Sequence, residues 1–114
     1  MSEKEMKRIV PTFKEIQLAA FNKTLECYGI KGFVRFNADI TGNYELIGEE
    51  KVHRGVLVRK NAKGLFVVDL YVVLALGVKI TETIFECQKV VRYALNKKFS
   101  NLIAKVNVFA MDVI

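Results

Sequence analysis

Apolar residues recur at three- and four-residue steps in the first half of the chain, and this spacing predicts an amphipathic helix from Thr12 to about Tyr28. The apolar positions of this stretch are Phe13, Ile16, Ala20, Phe21 and Leu25. Thr12 and Glu15 have the spacing of a capping box, and Gly29 suits the left-handed conformation that ends a helix. We therefore expect a first helix that has a sequence signal for its start and another for its end.

A second stretch with the same periodicity predicts a helix capped by Thr81 and ending near Lys98, before Ser100 and Asn101. One stripe of this helix carries Ile84, Cys87, Val91, Ala94 and Leu95. Such a stripe is typical of a helix that packs on a sheet.

Alternating or continuous apolar runs predict strands in the remaining segments. These runs are Ile30 to Phe36, Gly55 to Lys60, Leu65 to Leu76 and Ala104 to Ile114. Asn61 to Gly64 is suited to a tight hairpin, and a short extended segment is expected to end at Val10-Pro11-Thr12.

The order of these elements predicts an α+β fold in one two-layer domain spanning residues 1–114. We expect the order β-α-β-β-β-α-β, with a mixed sheet and both helices packed on one of its faces. Residues 1–8 are interpreted as a flexible tail and residues 37–54 as an irregular loop.

The long strand is apolar on both faces, which is unusual for a sheet with one face in water. Successive side chains point to opposite faces, so Phe66, Val68, Leu70, Val72, Leu74 and Leu76 are assigned to the core. The opposite set is Leu65, Val67, Asp69, Tyr71, Val73 and Ala75. The last strand adds Phe109, Met111 and Val113 to that second set.

The sequence therefore predicts an exposed apolar patch on the back of the sheet, and such patches often mark a partner surface. The candidate interface residues are Tyr71, Val73, Phe109 and Met111. An alternative stays open, in which the N-terminal segment or residues 37–54 fold over this face.

The formal net charge of +6 favours anionic surroundings such as nucleic acid, anionic lipid headgroups or acidic proteins, and does not choose among them. The N-terminus has no apolar core of a secretory signal. The longest apolar stretch, Leu70 to Val78, is far shorter than the roughly 20 residues that span a bilayer. We expect a cytoplasmic protein.

Groups that carry catalytic or metal chemistry are scattered. His53 has no Cys or His nearby in the sequence, and Asp39, Glu49 and Glu50 lie in the irregular loop. Cys27 and Cys87 lack metal-ligand spacing. We predict no catalytic residues, no metal site, no cofactor and no small-molecule substrate.

Gly29 to Gly32 matches G-x-x-G, the loop with which KH domains clamp a nucleic-acid backbone. An RNA-binding module that uses Gly29, Lys31, Gly32 and Arg35 is therefore the alternative functional hypothesis. In KH domains, however, that loop joins two helices, whereas here it joins a helix to a strand.

Several blocks of the chain resemble the alkaline shock protein family, also called the envelope stress response protein family. The blocks are Glu26 to Gly32, Gly55 to Val58, Val68 to Val73, Gly77 to Ile80 and Val106 to Val108. The resemblance covers most of the chain. The basic charge, the Asn37 to Arg54 loop and the Ile9 to Thr12 entry depart from the usual pattern.

This resemblance implies a non-enzymatic α+β protein of bacterial cytoplasm, linked to cell-envelope homeostasis or stress response. It also implies indirect membrane association, at the inner face, through an anchoring protein. Together with the apolar sheet face, it predicts an interaction or scaffold protein whose partner is another protein or a second copy of the chain.

Overall fold

The computed structural model describes residues 10–114 of the 114-residue chain. This part of the chain contains both helices and strands, and most of its strand pairings are antiparallel, as is typical of the α+β class. In chain order they are α1 (Phe13–Leu25), β1 (Ile30–Phe33), the 3₁₀ helix Glu49–Arg54, β2 (Val56–Lys60), β3 (Phe66–Leu74), α2 (Ile80–Lys98) and β4 (Ile103–Val113). The predicted fold class is confirmed.

Strand β3 is the centre of a four-stranded mixed sheet. β4 runs parallel to β3 along the whole of one edge, from the pair Phe66–Ile103 to the pair Leu74–Val113. The other edge is shared, because β2 pairs antiparallel with the first part of β3 and β1 pairs antiparallel with the last part. β1 and β2 therefore lie end to end beside the same strand.

Both helices pack on one face of this sheet. The buried residues of α1 are Ile16, Ala20, Phe21 and Thr24, and those of α2 are Thr83, Cys87, Val91 and Leu95. Phe21 stacks on Phe33 of β1 with ring centroids 4.8 Å apart. Such a pair contributes about 0.5–1.5 kcal/mol beyond the burial of its area. The opposite face is called the back face below.

The local signals at the start of α1 and in the hairpin are confirmed. The Thr12 hydroxyl accepts from the Glu15 N–H at 3.1 Å, and the Glu15 carboxylate accepts from the Thr12 N–H at 3.4 Å. In the hairpin, the Asn61 side chain accepts from the backbone N–H of Leu65 at 3.0 Å.

Two helix ends differ from the prediction, by three and by two residues, whereas α2 ends at Lys98 as predicted. α1 ends at Leu25, before the predicted Tyr28. α2 begins at Ile80 with Lys79 as its cap, so Thr81 is not the cap. The N–H of Thr83 donates to the Lys79 carbonyl at 2.9 Å, which starts the helical hydrogen bonding earlier.

Three strand predictions also change. β1 ends at Phe33, three residues before the predicted Phe36. Residues 10–12 carry no strand, while the predicted tail at residues 1–8 lies outside the described residues. Leu76, assigned to the core, is largely exposed because β3 ends at Leu74 and the chain turns at Gly77 with φ +93°.

The segment predicted as an irregular loop is irregular over residues 37–48. Its last six residues instead form the 3₁₀ helix. Val52 of that helix is fully buried in the core, which holds the end of the segment against the sheet.

Candidate functional site

Three aromatic side chains meet on the back face. Tyr71 of β3 and Phe109 of β4 are directly paired in the register, and their rings stack with centroids 4.9 Å apart and planes at 16°. The ring of Phe36 lies 6.2 Å from that of Tyr71, tilted by 58°. We call these three residues the aromatic patch.

The aromatic patch is held by backbone hydrogen bonds and is open to solvent. The N–H of Phe36 donates to the Arg54 carbonyl at 2.9 Å, which fixes the chain beyond β1. Phe36 is 48% exposed and Phe109 is 42% exposed, whereas Tyr71 between them is half-buried. Burial, and then the charge of Asp69, raises the pKa of the Tyr71 hydroxyl, so it is protonated at neutral pH.

Val73, predicted as part of this patch, is fully buried. It pairs with Gly32 on one side and with Asp112 on the other. Leu46 lies over Gly32, where a Cβ would be 3.1 Å from Leu46 Cδ1, and the Tyr44 hydroxyl donates to Asp112. Residues 44–46 thus pass over Val73. The sequence left open that this segment folds over the back face, and it does so at this end.

Met111 is one of two bulged residues of β4, and Ala104 near its start is the other. Ala110 pairs with Val72 and Asp112 pairs with Val73, which leaves Met111 without a partner on β3. A bulge shifts the alternation of faces by one residue. Val113, predicted on the back face, therefore packs against the core, while Met111 remains partly exposed.

The polar side chains beside the aromatic patch are bonded to one another. The Asp69 carboxylate accepts from Asn107 Nδ2 at 2.8 Å, and its second oxygen lies 3.6 Å from Arg59 Nε. Asp69 is buried, so this network compensates for its desolvation. Both oxygens are occupied by structural partners.

The outer edge of β4 is closed at two points by side chains of α2. Asn96 exchanges two hydrogen bonds with the backbone of Ile103, at 3.1 and 2.8 Å. Gln88 Oε1 accepts from the Val108 N–H at 3.2 Å. These contacts hinder the pairing of a further strand at these two points of β4.

The residues of the RNA-binding alternative are not gathered on one open loop. Gly29, with φ +84°, faces α2, where a Cβ would lie 3.0 Å from Thr83 Cγ2. Lys31 and Gly32 belong to β1, and Gly32 is buried beneath Leu46. Arg35 is exposed beyond the strand. The two glycines are therefore required for packing.

Cys27 and Cys87 meet at the base of a groove of about 730 Å³ between the end of α1 and the start of α2. The Cys27 thiol donates to the Lys23 carbonyl at 3.6 Å, and burial raises the pKa of both thiols. A neutral thiol is a poor nucleophile and a poor metal ligand. Within residues 10–114, no three His, Cys, Asp or Glu side chains are placed to hold a metal ion.

The sequence-based reasoning missed an exposed row on α2. Phe85, Lys89, Tyr93 and Lys97 follow one another at four-residue steps, so they lie along one side of the helix. Phe85 is 59% exposed and Tyr93 is 71% exposed. The sequence did contain a signal for this row, because its two aromatic residues fall outside the apolar stripe that was assigned to the core. None of the helices in the described part of the chain is both long and apolar enough to span a membrane.

Comparison with known proteins agrees with the resemblance in the sequence. YloU, an uncharacterised protein of Bacillus subtilis strain 168, is 30% identical over 98 residues, which cover 86% of this chain and 81% of YloU. Spy1614, an uncharacterised protein of Streptococcus pyogenes serotype M6, is 30% identical over 89 residues, which cover 77% of this chain and 72% of Spy1614. No solved structure matches the chain with statistical significance.

The sequence model of the alkaline shock protein 23 family, described by a cell envelope-related function, matches residues 2–114. The match spans both helices and all four strands described above. The chain therefore belongs to the alkaline shock protein 23 family.

Proposed function

We propose that this protein is a non-enzymatic interaction or scaffold protein of cell-envelope homeostasis, and that the aromatic patch is its protein-binding surface. The observation that carries the proposal is the stacked pair Tyr71–Phe109 with Phe36 beside it, open to solvent on the face opposite both helices. Membership of a family with a cell envelope-related function supports the biological setting.

The energetics favour a partner at this position. Fully burying a large apolar side chain contributes about 1.5–3 kcal/mol. Aromatic residues are also enriched in protein interfaces, and tyrosine is among the residues that most often dominate the binding free energy. Phe36 and Phe109 are each close to half exposed, so a partner would recover much of this free energy at both.

A partner that docks on the face fits better than one that adds a strand. Side chains of α2 already bond the backbone of Ile103 and Val108, so an added strand would have to displace them from the outer edge of β4. The bulge at Met111 interrupts the ladder near its end. The partner is therefore a second copy of the chain or another envelope-linked protein that covers the aromatic rings.

A non-catalytic role is consistent with how the polar side chains of residues 10–114 are used. The Asp69 carboxylate is engaged by Asn107 and Arg59. His53 is exposed on the 3₁₀ helix, where nothing holds it against an acid or a nucleophile among the described residues. The protein acts in the cytoplasm, with an anchoring protein at the inner membrane face as one candidate partner.

The test is the double substitution Phe36→Asp and Phe109→Asp, made in the full chain. Both side chains are exposed enough to accept a charge without entering the core, so the fold should be kept. We expect association, measured by light scattering and by capture of the tagged protein's partners, to weaken about thirtyfold or more, as for an interface hot spot.

The matched control is Tyr28→Asp, which removes an exposed aromatic residue in the turn after α1, away from the aromatic patch. It should leave association unchanged. Unchanged oligomeric state and unchanged partners in the double variant would contradict the proposal.

A further inference from the structure

The solvent side of α2 carries aromatic and cationic side chains in alternation. Phe85, Lys89, Tyr93 and Lys97 succeed one another at four-residue steps, over about 18 Å at 1.5 Å per residue. We call these four residues the aromatic–lysine row. Two aromatic rings that are more than half exposed on the outer side of a packed helix have no role in the core.

The surface around this row is positively charged. Residues 85–98 contain Lys89, Arg92, Lys97 and Lys98 with one acid, Glu86, which gives a net charge of +3 and half of the excess of the chain. Glu86 lies 3.7 Å from Lys89, and both side chains are exposed, so the pair is weak.

Next to the row, α1 and α2 enclose a shallow depression of about 750 Å³. Its floor is made by Val90 and Ala94, and Tyr93 stands at its side. Lys23 of α1 and Lys98 of α2 complete a rim that carries four lysines and one acid, Glu86.

We infer that the outer side of α2 binds an anionic lipid bilayer surface directly, through the aromatic–lysine row. The tyrosine ring partitions to the boundary between headgroups and acyl chains, because that boundary accepts an apolar body and a polar edge together. The phenylalanine ring, which is wholly apolar, inserts on the acyl side of the same boundary. Lysine stems extend along the same boundary while their ammonium groups reach the phosphates. The +3 charge complements the negative surface of an anionic leaflet.

A bilayer fits this surface better than an acidic helix or a nucleic acid does. A helix needs an apolar groove that receives several large side chains, whereas this floor consists of two small residues and the aromatic rings project outwards. A single strand of RNA needs successive stacking platforms, and Phe85 and Tyr93 are separated by Lys89. A lipid bilayer is deformable and can therefore accommodate the projecting rings of Phe85 and Tyr93.

This orientation is independent of the aromatic patch and compatible with it. The helices cover one face of the sheet and the patch lies on the other. Contact through α2 therefore directs Phe36 and Phe109 away from the lipid, where a protein partner has access to them.

The experiment is sedimentation of the full chain with phosphatidylglycerol vesicles and, separately, with phosphatidylcholine vesicles. Binding is expected only to the former, and it should weaken as salt shortens the screening length. The triple variant Lys89→Gln, Lys97→Gln and Lys98→Gln should bind at least about tenfold more weakly, since each lysine near such a surface contributes to the attraction.

The matched control is Lys14→Gln, Lys51→Gln and Lys63→Gln, which lowers the net charge equally at exposed positions away from the row. It should keep most of the binding. Lys97 and Lys98 also lie in the last turn of α2, where cations stabilise the helix end. A second variant, Phe85→Ser with Tyr93→Ser, therefore tests the row without changing the charge.

Equal losses in the two lysine triples would overturn the inference, because net charge alone would then explain the binding. Absence of phosphatidylglycerol binding by the unmodified chain would also overturn it. So would binding of poly(U) RNA or of an acidic amphipathic peptide through these lysines without vesicle binding. Phe36→Asp with Phe109→Asp should leave vesicle binding intact, which separates this inference from the proposed function.

Discussion

Tyr71 and Val73 lie two residues apart on the same side of the same strand, yet they have different surroundings. Tyr71 stacks on Phe109 at the edge of solvent, while Val73 is fully buried beneath residues 44–46. Alternation along a strand assigns a residue to a face, but it does not say what covers that face. The contacts that decide exposure come from residues distant in sequence.

The close packing between the ends of β1 and β2 requires a glycine at position 55, and this requirement can be tested. Gly55 lies where the two strands meet, and a Cβ there would be 2.9 Å from the Val34 carbonyl oxygen and 3.0 Å from Ile47 Cδ1. Gly55→Ala should lower the free energy of unfolding by about 1–3 kcal/mol, the usual cost of overpacking. Thermal or urea unfolding measures this loss.

Gly42→Ala is the matched control for that substitution. Its new Cβ would meet nothing closer than 3.6 Å, from the Asp39 side chain, so stability should be unchanged or slightly increased. Equal losses in the two variants would show that close packing at Gly55 is not the cause.

At the scale of the elements, the segment 37–48 is fastened to β4 by one side-chain pair. The Tyr44 hydroxyl donates to the Asp112 carboxylate, which the bulge at Met111 has placed on the back face. This hydrogen bond, together with one from the Val113 N–H, lowers the pKa of Asp112 below 3.8. The same bond raises the pKa of Tyr44 above 10.0.

The substitution Tyr44→Phe tests this fastening. The pKa of Asp112, followed by NMR titration, should rise towards 3.8, because the largest cause of its lowering is removed. The pKa of Asp39, held low by Thr41, is the internal control and should not move. An unchanged pKa of Asp112 would mean that the pair does not form.

The pH window of this contact follows from the two shifts. A lowered carboxylate pKa gives stability that is present above 3.8 and is lost as the pH falls through the folded-state value. A raised tyrosine pKa gives stability that is present below 10.0 and is lost as the pH rises through its folded-state value. Amide exchange at Val73 should therefore differ between the unmodified chain and Tyr44→Phe between these limits.

The sequence predicted those elements whose signals are local. The capping box at Thr12, the apolar stripe of α2 and the Asn61 hairpin all arise within a few residues, and each is confirmed. The apolar set of α1 is confirmed only in its middle, because Phe13 and Leu25 at the two ends are exposed. The bulge at Met111 has no local signal, and without it Val113 was assigned to the wrong face. The cover over Val73 was left as an open alternative, because a contact across many residues has no periodicity.

At the scale of the whole molecule, two unusual surfaces lie on opposite sides of the sheet. The aromatic patch is on the back face, and the aromatic–lysine row is on the outer side of α2. A protein with two separate binding surfaces can hold one partner while contacting another structure, as a scaffold requires. Both surfaces are aromatic but they differ in charge. The row is basic, whereas the patch is bordered by Asp69, whose carboxylate is bonded to Asn107 and Arg59.

The most direct test of the central claim is photo-crosslinking in cells of the protein's own species. A photoreactive phenylalanine analogue replaces Phe109 in one strain and Tyr28 in another. A crosslinked adduct with a second copy or another protein is expected from position 109 and not from position 28, although Tyr28 is the more exposed of the two. Equal yields at the two positions, or an adduct from position 28 alone, would contradict the assignment of the aromatic patch as the binding surface.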